Sequence, residues 1–367
     1  MAVTVRQLTL DGFVKPCLPS TRYVGSKEKL VEWIWKNIEF LDFETVLDAF
    51  GGTGIFAYYS KIRGKSVTYN DVFRWNYYIG LAMIENSNVL LTDEDIEFII
   101  RKHDWVSYDD FIQRTFKGIY YLDHENAWLD MVIANIRELD NIYKRALALA
   151  ALFQACLVKR PFNLFHRANL YMRLANVKRS FGNKTTWDRP FEYYFKKFAR
   201  EYNACVFSNG KRCKSLNYDV FEIPNPEGYD LVYIDPPYFS RRKGPTDYYL
   251  YYHFLEGLCI YLEKGSKAWD KLIDYNRKPR PLKHGTDLER KTLPWIRKEL
   301  IHKAFDRLFK RFSDSILVVS YNSEGIPSEI EIKSMLESYK NNVIVKKLRY
   351  KYVLSPNEIY ELLFIAY

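Results

Sequence analysis

Asp235-Pro236-Pro237-Tyr238 is the stretch of this 367-residue chain best suited to chemistry. It sets a carboxylate, a proline carbonyl and an aromatic ring side by side. Asp235 and the carbonyl of Pro236 can accept hydrogen bonds from an exocyclic NH₂ group, and Tyr238 can stack on the ring that carries it. The set suits a flat heteroaromatic amine. Consecutive prolines neither continue a strand nor enter a helix interior, so Pro236 and Pro237 hold the backbone extended. Just upstream, the apolar run from Asp230 to Ile234 predicts a buried parallel strand. In open α/β sheets ligands bind beyond the carboxyl ends of strands, which is where this tetrapeptide would lie. A plain turn would use the same residues.

A second constellation surrounds Val46-Leu47-Asp48-Ala49-Phe50-Gly51-Gly52-Thr53-Gly54. It reads as a strand running into a glycine-rich turn, with Ile55 to Tyr59 opening a helix. Glycine permits close backbone approach and positive φ. The spacing is not the G-x-G-x-x-G of dinucleotide sites, and no Lys-Ser/Thr follows as in a phosphate-binding loop. Ser66 to Asp71 then reads as a short strand ending in an acid. An acid there suits a ribose hydroxyl pair; a helix N-cap would use Asp71 equally well.

These two features belong to a longer ordered set. Arg22-Tyr23-Val24-Gly25-Ser26-Lys27 precedes the glycine turn, Asp219 lies 16 residues before Asp235, and Ile316 to Asn322 follows as a further apolar strand. Taken in this order the motifs resemble the adenine-specific DNA methyltransferases that use S-adenosylmethionine (SAM), the alpha group of amino methyltransferases. The resemblance implies an α/β, Rossmann-like fold with a mixed, mostly parallel sheet. It implies cofactor binding by Tyr23, Lys27, Asp48, Phe50, Gly51, Gly52, Gly54, Asp71 and Asp219, with Asp219 facing the adenine of SAM. It implies catalysis at Asp235, Pro236, Pro237 and Tyr238, with the strand from Ile316 to Asn322 lining the target-base pocket. Methyltransferases acting on glutamine or guanine typically carry Asn at the first position, and those acting on cytosine carry Ser, so Asp235 points to adenine.

The implied chemistry is direct. Asp235 and the Pro236 carbonyl hold the two hydrogens of adenine's amine, and the methyl group transfers without a covalent enzyme intermediate. Positioning supplies most of the acceleration, with electrostatic support as charge develops on nitrogen. A base inside a duplex cannot reach such a pocket, so base flipping is implied, at a cost of roughly a few kcal/mol. Tyr238 stacking, worth roughly 1–3 kcal/mol per base, would offset much of it. Other readings are an RNA or other amine methyltransferase on the same fold, and a catalytically dead nucleic-acid-binding relative. Retention of Asp235, Asp48 and the glycine turn argues against the last.

Charge supports a polyanionic partner. The chain carries a formal net charge of +10, yet residues 152–204 alone hold +8 and residues 240–311 hold +9. Segregation of this kind is the footprint of a nucleic-acid-binding face, whereas lysines that merely solubilise helices would be spread evenly. In the first segment Lys159, Arg160, Asn163, His166 and Arg167 interleave with aromatics and are expected to contact duplex DNA, although His166 also fits a structural histidine. In the second, Arg241 and Arg242 follow Tyr238 in an expected mobile loop. Residues 277–285 read as a loop that orders on binding.

The elements that must position these groups follow from periodicity. Helices are predicted from Lys27 to Ile38, Asp93 to Lys102, Asn126 to Ala151 and Phe191 to Tyr202. The tail predicts a terminal antiparallel hairpin from Val343 to Val353 and Glu361 to Tyr367. A catalytic domain is therefore expected from residues 1–71 and 205–367, carrying a basic insertion at about 240–311. Residues 72–204 are expected to be a helical insertion that recognises DNA. The longest apolar run, Ala146 to Val158, is too short to span a bilayer. The N-terminus does not read as a signal peptide. Five scattered cysteines without a C-x-x-C pair predict free thiols, no structural metal and a reducing cytoplasm. A restriction endonuclease is expected as a functional partner that forms no stable complex.

Overall fold

The computed structural model describes residues 20–175, 177, 184–350 and 359–367. Cys17 and the hairpin positions 351–353 lie outside the described residues. The chain folds as two compact units.

The first unit is built on a sheet and comprises residues 26–80, 209–248 and 287–367. Its strands are β1 (Thr45–Asp48), β2 (Ser66–Asn70), β3 (Lys214–Leu216), β4 (Leu231–Ile234), β5 (Phe239–Ser240), β6 (Gly244–Pro245), β7 (Ile316–Asn322), β8 (Gly325–Ile326), β9 (Val343–Tyr350) and β10 (Ile359–Ala366). Seven of them form one sheet in the order β3-β2-β1-β4-β7-β10-β9. The first five in that order pair in parallel, and β10 runs antiparallel to both β7 and β9. The expected mixed, mostly parallel sheet and the terminal hairpin are both present.

The strands are apolar on both faces because helices cover both sides of a parallel sheet. Every residue of β4 is buried, as are Leu317, Val318 and Val319 of β7. From β1 the chain moves outward to β2 and β3, then returns to place β4 on the other side of β1. The sheet thus has a topological switch point between β1 and β4, where open α/β folds place their ligands. Asp48 ends β1, and Asp235 follows β4 directly.

The second unit is helical and, among the described residues, comprises those within 20–25, 81–208 and 249–286. Its division differs from the expected boundaries. Residues 249–286 of the basic insertion fold with the helices, and residues 287–311 fold with the sheet. The predicted helix from Asn126 to Ala151 is two helices, Asp123–Glu138 and Ile142–Val158. Asn141 breaks it, because its side chain accepts hydrogen bonds from the backbone N–H groups of Tyr143 and Lys144 and so caps the second helix. The predicted helix from Lys27 to Ile38 is regular only over Val31–Lys36. Helices at Asp93–Ile100 and Phe191–Ala204 match their predictions closely. Residues 277–285 are not a free loop. Asp274 N–H donates to Pro281 and Lys283 N–H to Leu272, and Arg280 donates to the Thr115 carbonyl.

Candidate active site

The glycine turn is shaped by Tyr69 of β2. Its hydroxyl donates to the Gly52 carbonyl at 2.7 Å, and its ring lies where a Cβ on Gly51 would come within 2.0 Å. No side chain fits at position 51 without displacing that buried ring. Gly54 has φ of 73° and starts the helix Ile55–Ile62, a conformation glycine adopts at little cost. Phe50 sets its ring edge-on to Trp295 at 4.9 Å.

Two carboxylates converge on this turn. Asp71 accepts from Gly52 N–H and Phe73 N–H, both at 2.9 Å. Burial pushes its pKa up to about 6 against those hydrogen bonds. Asp48 accepts from Ala57 N–H at 3.2 Å with Oδ2, while its buried Oδ1 has no hydrogen-bond partner. Burial and the nearby charge of Asp235 hold Asp48 well above the usual carboxylate range. A buried, unsatisfied carboxylate oxygen is costly, and a cationic or hydroxyl-bearing ligand would remove that cost. Asp219 accepts from Phe221 N–H at 3.0 Å, and burial raises its pKa. Asn70 ties its segment to the turn: its side-chain amide donates to the carbonyls of Ala49 and Tyr218 and accepts from Tyr218 N–H. Sequence reading missed Asn70, which looks like one more strand residue.

Beyond β4 the tetrapeptide forms a second cluster. Tyr238 donates its hydroxyl to Asp235 Oδ1 at 2.8 Å and sets its ring edge-on to Tyr321 of β7 at 5.2 Å. Pro236 is buried and Pro237 half-buried. Lys27, expected at the cofactor, has its ammonium in this cluster. Its Nζ stands 3.0 Å from Asp235 Oδ1 and 3.3 Å from Glu361 Oε1, and donates to the Tyr238 hydroxyl at 2.5 Å. Lys27 is buried, and these two carboxylates are the partners that hold its charge. Burial alone would lower its pKa, but Asp235 and Glu361 outweigh it and raise it. Glu361 and Ser320 complete the cluster, with Ser320 donating to Glu361 Oε1 at 3.0 Å. The sequence signal for Glu361 is a lone acid opening an apolar strand.

With the turn and the tetrapeptide in place, comparison with known proteins decides the family. The family model for D12 class N6 adenine-specific DNA methyltransferases matches residues 23–312. This chain belongs to that family. The type II methyltransferase M2.HphI of Haemophilus parahaemolyticus is 29% identical, across 94% of this chain and 95% of that protein. The modification methylase StsI of Streptococcus sanguinis is 26% identical across 94% of this chain, which spans 51% of that longer protein. The type II methyltransferase M.NlaIII of Neisseria lactamica is 23% identical across 86% of this chain and 88% of that protein.

The remaining expected residues of the methyltransferase are less uniform. Tyr23 belongs to the helical unit, where its ring stacks on Tyr252 at 5.1 Å. Of the first basic segment, Lys159 and Arg160 are each only 1% exposed. Lys159 pairs with Glu125 at 2.5 Å. Arg160 donates to the carbonyls of Leu164 and Arg167 and lies over the Tyr120 ring. Buried and occupied in this way, neither offers its charge to a phosphate, and the reading of both as DNA contacts is corrected. They build the loop that carries Asn163, His166 and Arg167. Arg167 is exposed, whereas Asn163 and His166 are half-buried. Burial, with the charges of Arg167 and Arg160, lowers the His166 pKa, so the ring is neutral near pH 7. Arg241 and Arg242 are exposed, but their segment is not a loose loop. Here β5 pairs with β6 and β8, and Arg242 Nε lies 3.2 Å from Glu324 Oε1. Among the described residues no cluster of side chains could hold a metal ion, and no helix is long and apolar enough to cross a membrane.

Proposed function

We propose that this methyltransferase modifies the 6-amino group of an adenine flipped out of duplex DNA, with Asp235, the Pro236 carbonyl and Tyr238 as its catalytic residues. The observation that carries the reading is the placement of Asp235 at the switch point of the sheet, one strand from Asp48 and the glycine turn. The turn fits SAM: the orphaned Asp48 Oδ1 and the Asp71 carboxylate suit hydroxyl and cationic groups. When bound, SAM supplies a methyl group made electrophilic by its sulfonium.

The chain's own residues do the rest. Adenine's amine is a weak nucleophile because its lone pair is delocalised into the ring. Hydrogen bonds from its two N–H groups to Asp235 and to the Pro236 carbonyl favour a more tetrahedral nitrogen with a localised lone pair. The proton that nitrogen sheds after methylation goes to Asp235, which already holds it in a hydrogen bond. Tyr238 presents its ring to the base and is fixed by its own hydroxyl. Exposed cations such as Arg167 and Arg241 contact the phosphate backbone.

The type II relatives support a further element of the proposal. The enzyme protects a DNA sequence shared with a restriction endonuclease that forms no stable complex with it. Free thiols at Cys156, Cys205, Cys213 and Cys259 fit a reducing cytoplasm. The test is chemical. Duplex DNA incubated with enzyme and labelled SAM, then digested to nucleosides, should carry label in N6-methyladenine. Label confined to RNA or protein would remove the DNA reading, and label in 4-methylcytosine would remove adenine.

A further inference from the structure

We propose that Glu361 is a positioning residue for the target adenine: anchored by Ser320, it shares the Lys27 ammonium with Asp235 and so leaves Asp235 Oδ2 as the acceptor for the 6-amino group. The inference rests on the reading that Asp235 receives that amine.

The geometry distinguishes the two oxygens of Asp235. The Lys27 and Tyr238 contacts both end on Oδ1, and among the described residues no hydrogen bond reaches Oδ2. Oδ2 is therefore the oxygen with free acceptor capacity. What fixes this asymmetry is Lys27, which reaches Asp235, Tyr238 and Glu361 with one ammonium group. An ammonium paired with Asp235 alone would draw electron density from the carboxylate and weaken it as an acceptor. A second carboxylate on the opposite side divides that pull.

Glu361 is placed to be that carboxylate. It lies on β10, paired in register with Asn322 of β7 and Leu348 of β9. Only 2% of it is exposed, and the five residues that follow it, Leu362 to Ala366, are all buried. Carboxylates are almost never so buried without a partner, and a hydrophobic residue at this strand position would be the cheaper choice for folding. Ser320 fixes its orientation from β7. Tyr238 Oη also lies 3.3 Å from Glu361 Oε1, so the hydroxyl that orients the stacking ring sits between the two carboxylates. Lys27, Asp235, Glu361 and Ser320 come from four separate segments and meet only through this arrangement.

The test is a double-mutant cycle on the full chain, with Glu361→Gln, Lys27→Met and both together, read by steady-state and single-turnover methylation of duplex DNA. Gln keeps the volume and the hydrogen bond from Ser320 while removing the charge. Glu361→Gln should lower kcat about 10- to 100-fold, the range for a group that orients a reacting ligand, with KM for DNA and affinity for SAM within about threefold. Because Glu361 acts through Lys27, adding it to Lys27→Met should cost less than about a further twofold, a strong departure from additivity. Losses that multiply in the double variant, a wild-type kcat for Glu361→Gln, or a change in KM alone would overturn the proposal. If Glu361→Gln fails to fold, Ser320→Ala serves in its place in the same cycle, with the same pattern expected. The underlying reading is tested apart: an Asp235→Ala variant that still methylates adenine would remove Asp235, and with it the premise, whatever Glu361 does.

Discussion

At Asp235 one carboxylate oxygen is held by Lys27 and Tyr238, and the proposed function gives the other to the substrate amine. Asp235→Ala should therefore lower turnover by about 10²–10⁴-fold, the usual weight of a positioned proton acceptor. DNA binding, measured by fluorescence anisotropy, should stay within a few-fold, because the proposed partner of Asp235 is the base and not the phosphates. Asp71 carries a prediction in pH. Its pKa stands at about 6, so the carboxylate is ionised above that value and protonated below it. Only the ionised form offers its lone pairs fully to ribose hydroxyls. SAM affinity measured by calorimetry should be flat above about pH 6 and weaken by up to tenfold per unit below it. Asp71→Asn should bind weakly and lose that pH dependence. An unchanged profile in a folded variant would take Asp71 out of the cofactor site.

At the scale of elements, the glycine turn and the β5–β6 hairpin make contrasting demands. Gly51 lies against Tyr69, itself buried between strands, so the ring cannot swing aside. Gly51→Ala should cost about 1–3 kcal/mol, the usual range for overpacking, seen as a lowered midpoint in urea, with SAM binding abolished alongside. The hairpin is ordered partly by the ion pair of Arg242 with Glu324. Reversing Arg242 would then disturb the hairpin as well as any bound phosphate, which makes Arg241 the cleaner probe. Arg241→Glu should weaken duplex binding and reduce the salt slope by about one unit for each phosphate that is no longer neutralised. A wild-type slope would show the hairpin to be a solvated surface.

At the scale of the molecule, positive charge divides into cations that build the fold and cations that face solvent. Lys159 shows the first kind. It neutralises Glu125 together with Arg173, in a cluster where all three side chains are at most 5% exposed. Breaking a buried ion pair by removing one partner typically costs about 3–5 kcal/mol, so Lys159→Ala should unfold at lower denaturant, with DNA binding falling only as folded protein is depleted. A stable Lys159→Ala variant with selectively weakened DNA binding would reverse this assignment. Arg167, exposed on the loop that Arg160 pins, should behave the opposite way, with unchanged stability and a reduced salt slope.

The motifs were legible because each is local. A strand, a turn and an acid within about ten residues make a recognisable candidate, as at Asp48 to Gly54 and Asp230 to Tyr238, and the order of such motifs along the chain carried the family resemblance. Hydrophobic periodicity likewise sufficed for single strands and the terminal hairpin, since an apolar strand needs no knowledge of its neighbours to be recognised, whereas the mixed, mostly parallel sheet was implied by the family resemblance. Burial of charge was not legible. Composition counts Lys159 and Arg160 with the exposed cations, and only packing reveals that their partners are Glu125 and backbone carbonyls. Lys27 and Glu361 show the same limit at the active site. They are separated by most of the chain, and nothing in the residues around either one indicates the other. It is the closure of β10 against β7 that brings Glu361 to Lys27 and Asp235, because a carboxylate chooses its partner by distance in space and not along the sequence.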